Sequence, residues 1–402
     1  MNLPWRSLAC GLCAAVVTAC TSVSLAPQEA VTQSPEALTQ SPELTQSPEL
    51  GQSSAAPVLS VLDAPLGAEL LRPGSRWQPV AWSALPGFDA DTLAEAWSAW
   101  LKSCERPGPV FAPLCPQVRQ LSIGDEAAKR EWMQRVLQPY RVVALDSAAA
   151  NGLLTSYFEP EMRARRLPGD GFTVPLYAPP DRLKARQPWF SRQEIDTMPE
   201  AQAALRGRAI VYMDDAVEAM LLQIQGSGRM LVTEPDGSTR QVRLAFAGHN
   251  SQPYVSIGRW LIDQAGLRDA SWPGIRSWLQ QHPEQLQSVL WRNPRVVFFK
   301  EETLSAFDAN FGPRGAQGVP LTPGRSIAVD PRSIPYGTPV WLASQGSQET
   351  LLRLVLAQDT GSAIVGAVRA DYFAGWGAQA GEFAGRMKQP LQLWALWPKN
   401  AY

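Results

Sequence analysis

Two aspartates near the C-terminus are the residues best suited to acid–base chemistry. Asp359 and Asp371 lie twelve positions apart, around a bend that contains Gly361 and Gly366. Apolar residues border both carboxyl groups, and loss of hydration raises the pKa of a carboxyl group. A raised pKa keeps the acid protonated near neutral pH, ready to donate a proton. Spacing alone favours a simpler interpretation, in which Asp359 caps a turn and Asp371 begins a helix.

The elements around this pair indicate a β-barrel. Residues 351–357 are apolar and β-prone, which predicts a buried strand that stops at the turn-forming cluster 358–361. Further strands are predicted at 326–329, 339–343 and 391–397. Short strands with Gly- and Pro-rich turns favour a closed or partly closed barrel over a parallel doubly wound sheet.

The middle of the chain mixes helices and strands. In the segment 87–102, Leu93, Ala96, Trp97 and Trp100 recur at helical spacing and predict one buried face. The other predicted helices are 125–138, 192–205, 258–265, 275–281 and 284–291. The other predicted strands are 152–160, 172–176, 231–233, 240–244 and 296–299, of which 231–233 and 240–244 are expected to form a hairpin.

Composition narrows the function. The chain has 402 residues, 45% apolar and 18% charged, enough for two or more domains with a sizeable core. The 36 Lys and Arg residues balance 37 Asp and Glu residues, so no bulk charge favours binding to nucleic acid. With two histidines, a His-based metal site or catalytic triad has few candidates, and we predict no metal or cofactor. The 15 tryptophans supply flat apolar rings that suit either a core or stacking against sugars.

The N-terminus has the features of a lipoprotein export signal. Residues 1–19 combine a positive charge at Arg6 with a short apolar segment, too short to span a bilayer. The segment ends in Val-Thr-Ala-Cys, which resembles a bacterial lipobox with Cys20 as the acylated residue. Ordinary secretion with cleavage near residue 19 is the alternative. Thr21 fits sorting to the outer membrane, so we expect a lipid-anchored protein that faces the periplasm.

A low-complexity tether is predicted at residues 20–56. The pattern Thr-Gln-Ser-Pro-Glu recurs there in degenerate form, and such a Ser/Pro/Gln-rich sequence cannot bury enough apolar surface to fold. We interpret it as a disordered spacer between the membrane and the folded domains. A repeat that binds a partner is the alternative.

Two cysteines bracket a Pro-rich loop. Cys104 and Cys115 lie in what the N-terminus predicts to be an exported protein. In an oxidising compartment such a pair is expected to form a disulfide.

Several motifs occur together, in order, from about residue 60 to the C-terminus. They are TSYFEP at 155–160, IQGSG at 224–228, AGHN at 247–250, YVSIG at 254–258, NP at 293–294, FFK at 298–300, AVDPRSIPYGTPV at 328–340, AQDTGSAI at 357–364 and RADYFAG at 369–375. Together they resemble the membrane-bound lytic murein transglycosylase A family. The last three contain Asp330, Asp359 and Asp371, the three-aspartate pattern of that family's barrel.

The resemblance implies a mainly β fold with several helices. A double-psi β-barrel would be built from residues 57–160 and 303–402, and a second β-rich domain, 161–302, would be inserted between them. A cleft between the two would hold a glycan strand of peptidoglycan. The bond cut would be the β-1,4 link between N-acetylmuramic acid and N-acetylglucosamine, leaving a 1,6-anhydro-muramoyl end.

The resemblance also implies roles for single residues. Asp371 would be the catalytic acid and base, with Asp359 beside it as an anion that raises its pKa. Asp330 would be mainly structural, fixing the turn that follows it. Thr155, Tyr157 and Gln225 are expected to line the groove, although core packing explains Tyr157 equally well. His249 is interpreted as a structural hydrogen-bonding residue.

Two other functions remain open at this point. One is a lipoprotein that binds peptidoglycan without cleaving it. The other is a muramidase-type hydrolase that uses the same cleft and produces reducing ends. The presence of both Asp359 and Asp371 argues against the first.

Overall fold

β-Strands outnumber α-helices in the part of the chain that the structure describes. The computed structural model describes residues 66–146, 151–184, 186–346 and 349–400, so the predicted signal peptide, Cys20 and the tether lie outside the described residues. The strands are β1 (Leu70–Arg72), β2 (Ser75–Pro79), β3 (Leu137–Val143), β4 (Gly152–Glu159), β5 (Glu161–Arg165), β6 (Val174–Tyr177), β7 (Ala209–Met213), β8 (Gly228–Thr233), β9 (Thr239–His249), β10 (Val297–Thr303), β11 (Ser326–Val329), β12 (Pro339–Gln345), β13 (Thr350–Asp359), β14 (Arg369–Trp376) and β15 (Lys388–Pro398). The helices are α1 (Leu93–Ser103), α2 (Cys115–Gln120), α3 (Glu126–Val136), α4 (Arg192–Thr197), α5 (Pro199–Leu205), α6 (Ala216–Gln225), α7 (Ile257–Ala265), α8 (Trp272–Gln281), α9 (Leu286–Leu290) and α10 (Gly377–Arg386).

Six strands of the larger sheet close into a barrel. Around the ring the order is β15, β12, β13, β11, β14 and β4, and β4 pairs back to β15. The long strand β15 makes this possible because its first half pairs with β4 and its second half pairs with β12 and β3. Strands β2 and β1 extend the sheet beyond β3. The prediction of a barrel rather than a doubly wound sheet is confirmed.

Strand β12 of the barrel wall is buried on both faces. Along β12, Val340 and Leu342 belong to the cluster inside the barrel, whereas Trp341 and Ala343 pack under the helices outside it. Successive side chains of a strand point to opposite faces, so a strand covered on both sides is apolar throughout. This explains why the β12 sequence lacks the alternation of an exposed strand.

Helix α1 covers the outer face of the barrel. Leu93, Ala96, Trp97 and Trp100 are all buried, which confirms the face predicted from helical spacing. The rings of Trp97 and Trp100 lie 5.2 Å apart and form part of a tryptophan-rich cluster. Many of the fifteen tryptophans are therefore core residues rather than sugar platforms.

A disulfide joins two of the helices on this side of the barrel. Cys104, just after α1, is bonded to Cys115 at the start of α2, eleven positions away. Both half-cystines are buried.

A second, six-stranded sheet is inserted between β4 and β11. Its strand order is β10, β9, β8, β5, β7 and β6. A single residue, Pro160, separates the end of β4 in the barrel from the start of β5 in this sheet. Strands β8 and β9 pair antiparallel from Gly228–Leu244 to Thr233–Thr239, which confirms the predicted hairpin. Helix α6 packs on this sheet through Ala219 and Leu222, and its Val217 and Met220 join the cluster of α7, α8 and α9.

A buried ion cluster fixes the inserted sheet to the barrel. Glu159, at the end of β4, is 0% exposed and accepts hydrogen bonds from Arg229 Nε at 2.8 Å and Arg243 Nε at 2.6 Å. Both arginines also donate to the carbonyl oxygen of Phe311. The Arg229 guanidinium lies 3.9 Å from the ring centroid of Trp376. Because both arginines lie on the inserted sheet, the cluster sets the relative position of the two sheets.

Some predicted boundaries differ from the structure. The single helix expected at 192–205 is two helices, α4 and α5, because Pro199 excludes the preceding Met198 from the helical region. The helix expected at 125–138 ends at Val136, and Leu137 begins β3 instead.

Candidate active site

A groove of about 840 Å³ lies between the barrel and the inserted sheet. On the barrel side it is lined by residues of β4, by the ends of β13 and β14, and by the loops 313–316 and 360–364. On the other side it is lined by the C-terminal end of α6 and by parts of β9 and β10. The cleft expected between the two β-rich parts is therefore present, and both predicted catalytic aspartates line it.

The barrel register brings the two aspartates together. On the central strand β11, Ala328 pairs with Asp359 of β13 on one side and with Asp371 of β14 on the other. Two strand spacings separate the aspartates, so their Cα atoms lie roughly 10 Å apart. The interpretation in which Asp371 begins a helix is wrong, because Asp371 lies inside β14, where the parallel partner β4 holds it.

Asp371 has a hydrogen-bond partner directly across the sheet. Thr155 of β4 is in register with Asp371 and donates its hydroxyl hydrogen to Oδ1. Arg369, two residues earlier on the same face of β14, donates to Thr155 Oγ1 at 2.7 Å. The second oxygen, Oδ2, has no protein partner in the described part of the chain and is available to a substrate atom.

Burial raises the pKa of the Asp371 carboxyl above its usual range, and the nearby Asp359 adds to the rise. The Thr155 hydrogen bond and the positive charge of Arg369 act in the opposite direction. Because desolvation is the largest of these effects, the proton is held to higher pH than in an exposed aspartate. Such a carboxyl can act as a general acid and then as a general base.

Asp359 is held by more donors than Asp371. Tyr157 donates its hydroxyl hydrogen to Oδ2 at 2.8 Å, and the amide of Ala316 donates to Oδ1 at 2.9 Å. Burial raises the pKa of Asp359, while Tyr157 and the amides of Thr360 and Ala316 work against that rise. Donors to a carboxylate stabilise its charged form. Of the two acids, Asp359 is therefore better suited to remain ionised and Asp371 to carry the proton.

The loop that supplies the Ala316 amide depends on a close approach of two chain segments. At the neighbouring Gly315, a Cβ atom would lie 2.5 Å from the carbonyl oxygen of Gln358. A glycine at this position thus lets the loop reach the end of β13, where Asp359 lies.

The remaining predicted groove residues also line the cavity. Tyr157 lies half-buried beside Phe373, with their ring centroids 5.3 Å apart, so it both packs and reaches Asp359. Gln225, the last residue of α6, accepts a hydrogen bond from the amide of Phe158 at 3.0 Å, which leaves its NH₂ group for other partners. Tyr254, which was not among the predicted groove residues, also lines the cavity, and burial together with the charge of Asp371 raises its pKa.

Asp330 is buried and does not line the groove. Its carboxylate accepts hydrogen bonds from the amides of Arg332 and Gly366 at 3.0 and 3.1 Å and pairs with the Arg332 side chain. Burial alone would raise the pKa of Asp330, but these donors together lower it. The side chain thus ties the turn after β11 to the loop that leads into β14.

The sequence did not single out four other groove residues. Phe246 is 51% exposed on β9, facing the cavity, and is an apolar surface for a sugar ring. Arg369 was detectable, because it lies two residues before Asp371 and so shares its face in a strand. The sequence could not predict that the Ala316 amide and the Arg295 side chain reach the groove, since their positions depend on loops from distant parts of the chain.

No group of three or more potential metal ligands occurs among the described residues. The described helices also include none that is long and apolar enough to cross a bilayer.

Comparisons with known proteins agree on one family. The model of the MltA specific insert domain matches residues 153–300, and that of the 3D domain matches residues 325–397. The membrane-bound lytic murein transglycosylase A of Vibrio cholerae is 31% identical over 307 residues, which cover 73% of this chain and 77% of the relative.

Solved structures give the same result. The crystal structure of MltA from Neisseria gonorrhoeae is 30% identical, covers 84% of this chain and 96% of its own, and superposes with a TM-score of 0.68. The structure of Escherichia coli MltA with bound chitohexaose is 25% identical, covers 80% of this chain and 94% of its own, and has a TM-score of 0.64. These matches identify the class of protein as a lytic transglycosylase. The chain belongs to the membrane-bound lytic murein transglycosylase A family.

Proposed function

We propose that this protein cleaves the β-1,4 bond between N-acetylmuramic acid and N-acetylglucosamine in peptidoglycan and leaves a 1,6-anhydro-muramoyl end. The observation that carries the proposal is the unequal pair of carboxyls in the groove. Asp371 is desolvated and has one side-chain donor, whereas Asp359 is held by Tyr157 and by backbone amides.

A single acid suffices for this reaction. Protonated Asp371 donates its proton to the glycosidic oxygen of the leaving N-acetylglucosamine as the bond from C1 to that oxygen breaks. The C6 hydroxyl of the same muramoyl sugar then attacks C1, and the Asp371 carboxylate takes the hydroxyl proton. Asp371 ends protonated as it began, and no water is consumed. Because nucleophile and electrophile belong to one sugar, ring closure gains from proximity.

Asp359 acts through its charge. As an anion near Asp371 it raises the pKa of the acid, and it also stabilises positive charge that develops on the sugar ring in the transition state. Two-carboxylate hydrolases instead use the second acid as a nucleophile or to activate water. In this groove the Tyr157 and Ala316 donors occupy both oxygens of Asp359, which disfavours either role.

The groove suits an uncharged sugar backbone. Phe246 gives an exposed ring for stacking, and Gln225 and Tyr254 supply polar groups for hydroxyl and N-acetyl substituents. The sugar hexamer in the related Escherichia coli crystal structure supports a glycan as the occupant.

We further propose that the protein acts at the outer membrane, facing the periplasm. Cys20 would carry the lipid anchor, and residues 20–56 would span the distance to the peptidoglycan layer. The name of the Vibrio cholerae relative, which calls that protein membrane-bound, supports this location.

Mass spectrometry of murein digested by the purified protein tests the proposed activity. Muropeptides with 1,6-anhydro ends are expected. Reducing ends would identify a muramidase-type hydrolase in the same groove. Absence of cleavage, with retained binding to murein, would identify a non-catalytic peptidoglycan-binding lipoprotein.

A further inference from the structure

The wall of the groove formed by the inserted sheet contains a guanidinium without an acidic partner. Arg295, just before β10, is half-buried and lines the groove. Its Nε donates to the carbonyl oxygen of Gln252 at 2.8 Å, which anchors the side chain. Within the described part of the chain, no carboxylate lies within 4.0 Å of the guanidinium, and both Nη groups have no protein acceptor.

The other positively charged side chains of the groove have a protein partner or are solvated by water. Lys300 pairs with Glu302 at 2.7 Å, and Arg369 is bound to Thr155 beside Asp371. Arg314, on the barrel side, donates to the carbonyl oxygen of Gly318 and is exposed, so water solvates its charge. Burying a charge without a counter-ion is costly. A half-buried, unpaired guanidinium in a groove therefore indicates that an anion completes the site when the groove is occupied.

His249 adds a second donor next to Arg295. Its Nδ1 accepts a hydrogen bond from the amide of Ser251 at 2.9 Å, which places the ring proton on Nε2. Burial and the neighbouring charge of Arg295 lower the pKa of His249, so the ring stays neutral and its Nε2–H remains a donor. His249 is in register with Val297 on β10, and the Asn250 amide donates to Val296, which brings the ring beside Arg295.

This pair of donors suits a carboxylate. An arginine fork binds a planar two-oxygen anion through parallel hydrogen bonds, and a neutral imidazole N–H adds a third. Resting on the function proposed above, we infer that Arg295 and His249 form a subsite for a carboxylate attached to the muramoyl residue of the glycan. Two sources share this chemistry: the lactyl carboxylate of a peptide-free muramoyl sugar, and a carboxylate of the stem peptide. A chitin-type oligosaccharide has neither.

The affinities of Arg295 variants for three glycans show whether the Arg295 side chain binds a carboxylate of the ligand or only holds its loop in place. The mature full-length protein carries Asp371→Asn to prevent turnover, and affinities are measured by calorimetry. The ligands are chitohexaose, peptide-free murein glycan and peptide-bearing murein glycan. The variants are Arg295→Gln, Arg295→Lys and, as a matched control, Arg206→Gln, an exposed arginine of the inserted region that does not line the groove.

Arg295→Gln is expected to lower the affinity for carboxylate-bearing glycans about tenfold or more. The affinity for chitohexaose should stay within about twofold, since hydrogen bonds to charged groups are the stronger ones. Arg295→Lys should keep most of the affinity that Arg295→Gln loses, and Arg206→Gln should leave all three affinities unchanged. If Arg295→Gln lowers the affinity for peptide-free glycan, the bound group is the lactyl carboxylate. If it lowers only the affinity for peptide-bearing glycan, the bound group is a carboxylate of the stem peptide.

Equal weakening of all three ligands would show that Arg295 only holds its loop in place, and this would overturn the subsite. Unchanged binding of both murein glycans would overturn it as well. If the wild-type protein still produces anhydro ends in either case, the proposed activity stands and only the subsite is wrong.

Discussion

The hydroxyl of Tyr157 donates a hydrogen bond to Oδ2 of Asp359 over 2.8 Å. The two residues are 202 positions apart in the sequence and meet because β4 and β13 are both part of the closed barrel. The contact helps to separate the roles of two otherwise similar acids. The Thr155 hydroxyl donates to Asp371 in the same way, but Asp359 also accepts a hydrogen bond from the amide of Ala316, so more donors stabilise its charged form. Burial also raises the pKa of Tyr157, and Asp359 adds to the rise, so the phenol keeps its proton and remains a donor.

Replacing Asp359 tests its role as a charge. Asp359→Asn is expected to reduce turnover of murein partly and to move the alkaline limb of the pH–rate profile to lower pH. The sign follows because Asp359 raises the pKa of Asp371, so removal of the anion lowers that pKa and the acid loses its proton earlier. A pH series of kcat/KM with purified murein measures the shift.

Tyr157→Phe tests the same role of Asp359 through its hydrogen-bond donor. Loss of the Tyr157 donor raises the pKa of Asp359 and makes it ionised less often, so the same limb should move in the same direction by a smaller amount. A shift to higher pH in either variant would contradict the assignment of Asp359 as the anion.

The buried carboxylate of Glu159 is predicted to stabilise the fold. Glu159→Gln leaves Arg229 and Arg243 with an uncompensated buried charge and should lower the free energy of unfolding by about 3–5 kcal/mol. Urea denaturation followed by tryptophan fluorescence measures the loss. The exposed pair Arg135–Glu131 provides the control, because Glu131→Gln should change stability by less than about 1 kcal/mol. Equal effects of the two substitutions would contradict the account of the cluster.

The disulfide should protect its cysteines and stabilise the helical side of the barrel. Alkylation of the native protein is expected to label neither Cys104 nor Cys115 before reduction. The double substitution to alanine should lower the free energy of unfolding by roughly 2–3 kcal/mol, the range for a short closed loop. Labelling of both thiols in the unreduced native protein would contradict the disulfide.

The lipid anchor is predicted to affect location and not chemistry. Cys20→Ser should release the protein from the membrane fraction while the purified enzyme keeps its activity on soluble glycan, because the groove is built from residues far beyond the tether. Fractionation with an outer-membrane marker, combined with the activity assay, checks both parts. Continued sedimentation of the Cys20→Ser protein with the outer membrane would show that the anchor has been misidentified.

The sequence predicted the barrel strands well where they are uniformly apolar. Residues 326–329 match β11, and the prediction at 351–357 falls within β13. Strand β14 was missed, although it carries Asp371. Its sequence, RADYFAGW, combines two charged residues with three small ones and resembles a helix start, and only pairing with β4 and β11 forces it to be extended.

Contacts between distant parts of the chain also limited what the sequence predicted of the groove. The family motifs included Thr155, Tyr157, Gln225 and both groove aspartates, and the structure places all five along one cavity. The sequence did not predict which carboxyl has more donors. That difference comes from the Tyr157 hydroxyl and the Ala316 amide, which reach Asp359 from 202 and 43 positions away along the chain.

Turnover of purified murein by Asp371→Asn tests the central claim most directly. The amide keeps the shape of the side chain but can neither donate nor accept the catalytic proton. General acid–base catalysis contributes about 10²–10⁴-fold, and this variant loses both halves of the proton transfer. The account therefore predicts release of anhydro-muropeptides close to background, with folding and glycan binding retained, and a much larger loss than for Asp359→Asn. Turnover by Asp371→Asn near the wild-type rate, or a reversed order of the two variants, would contradict the assignment of Asp371 as the acid and base.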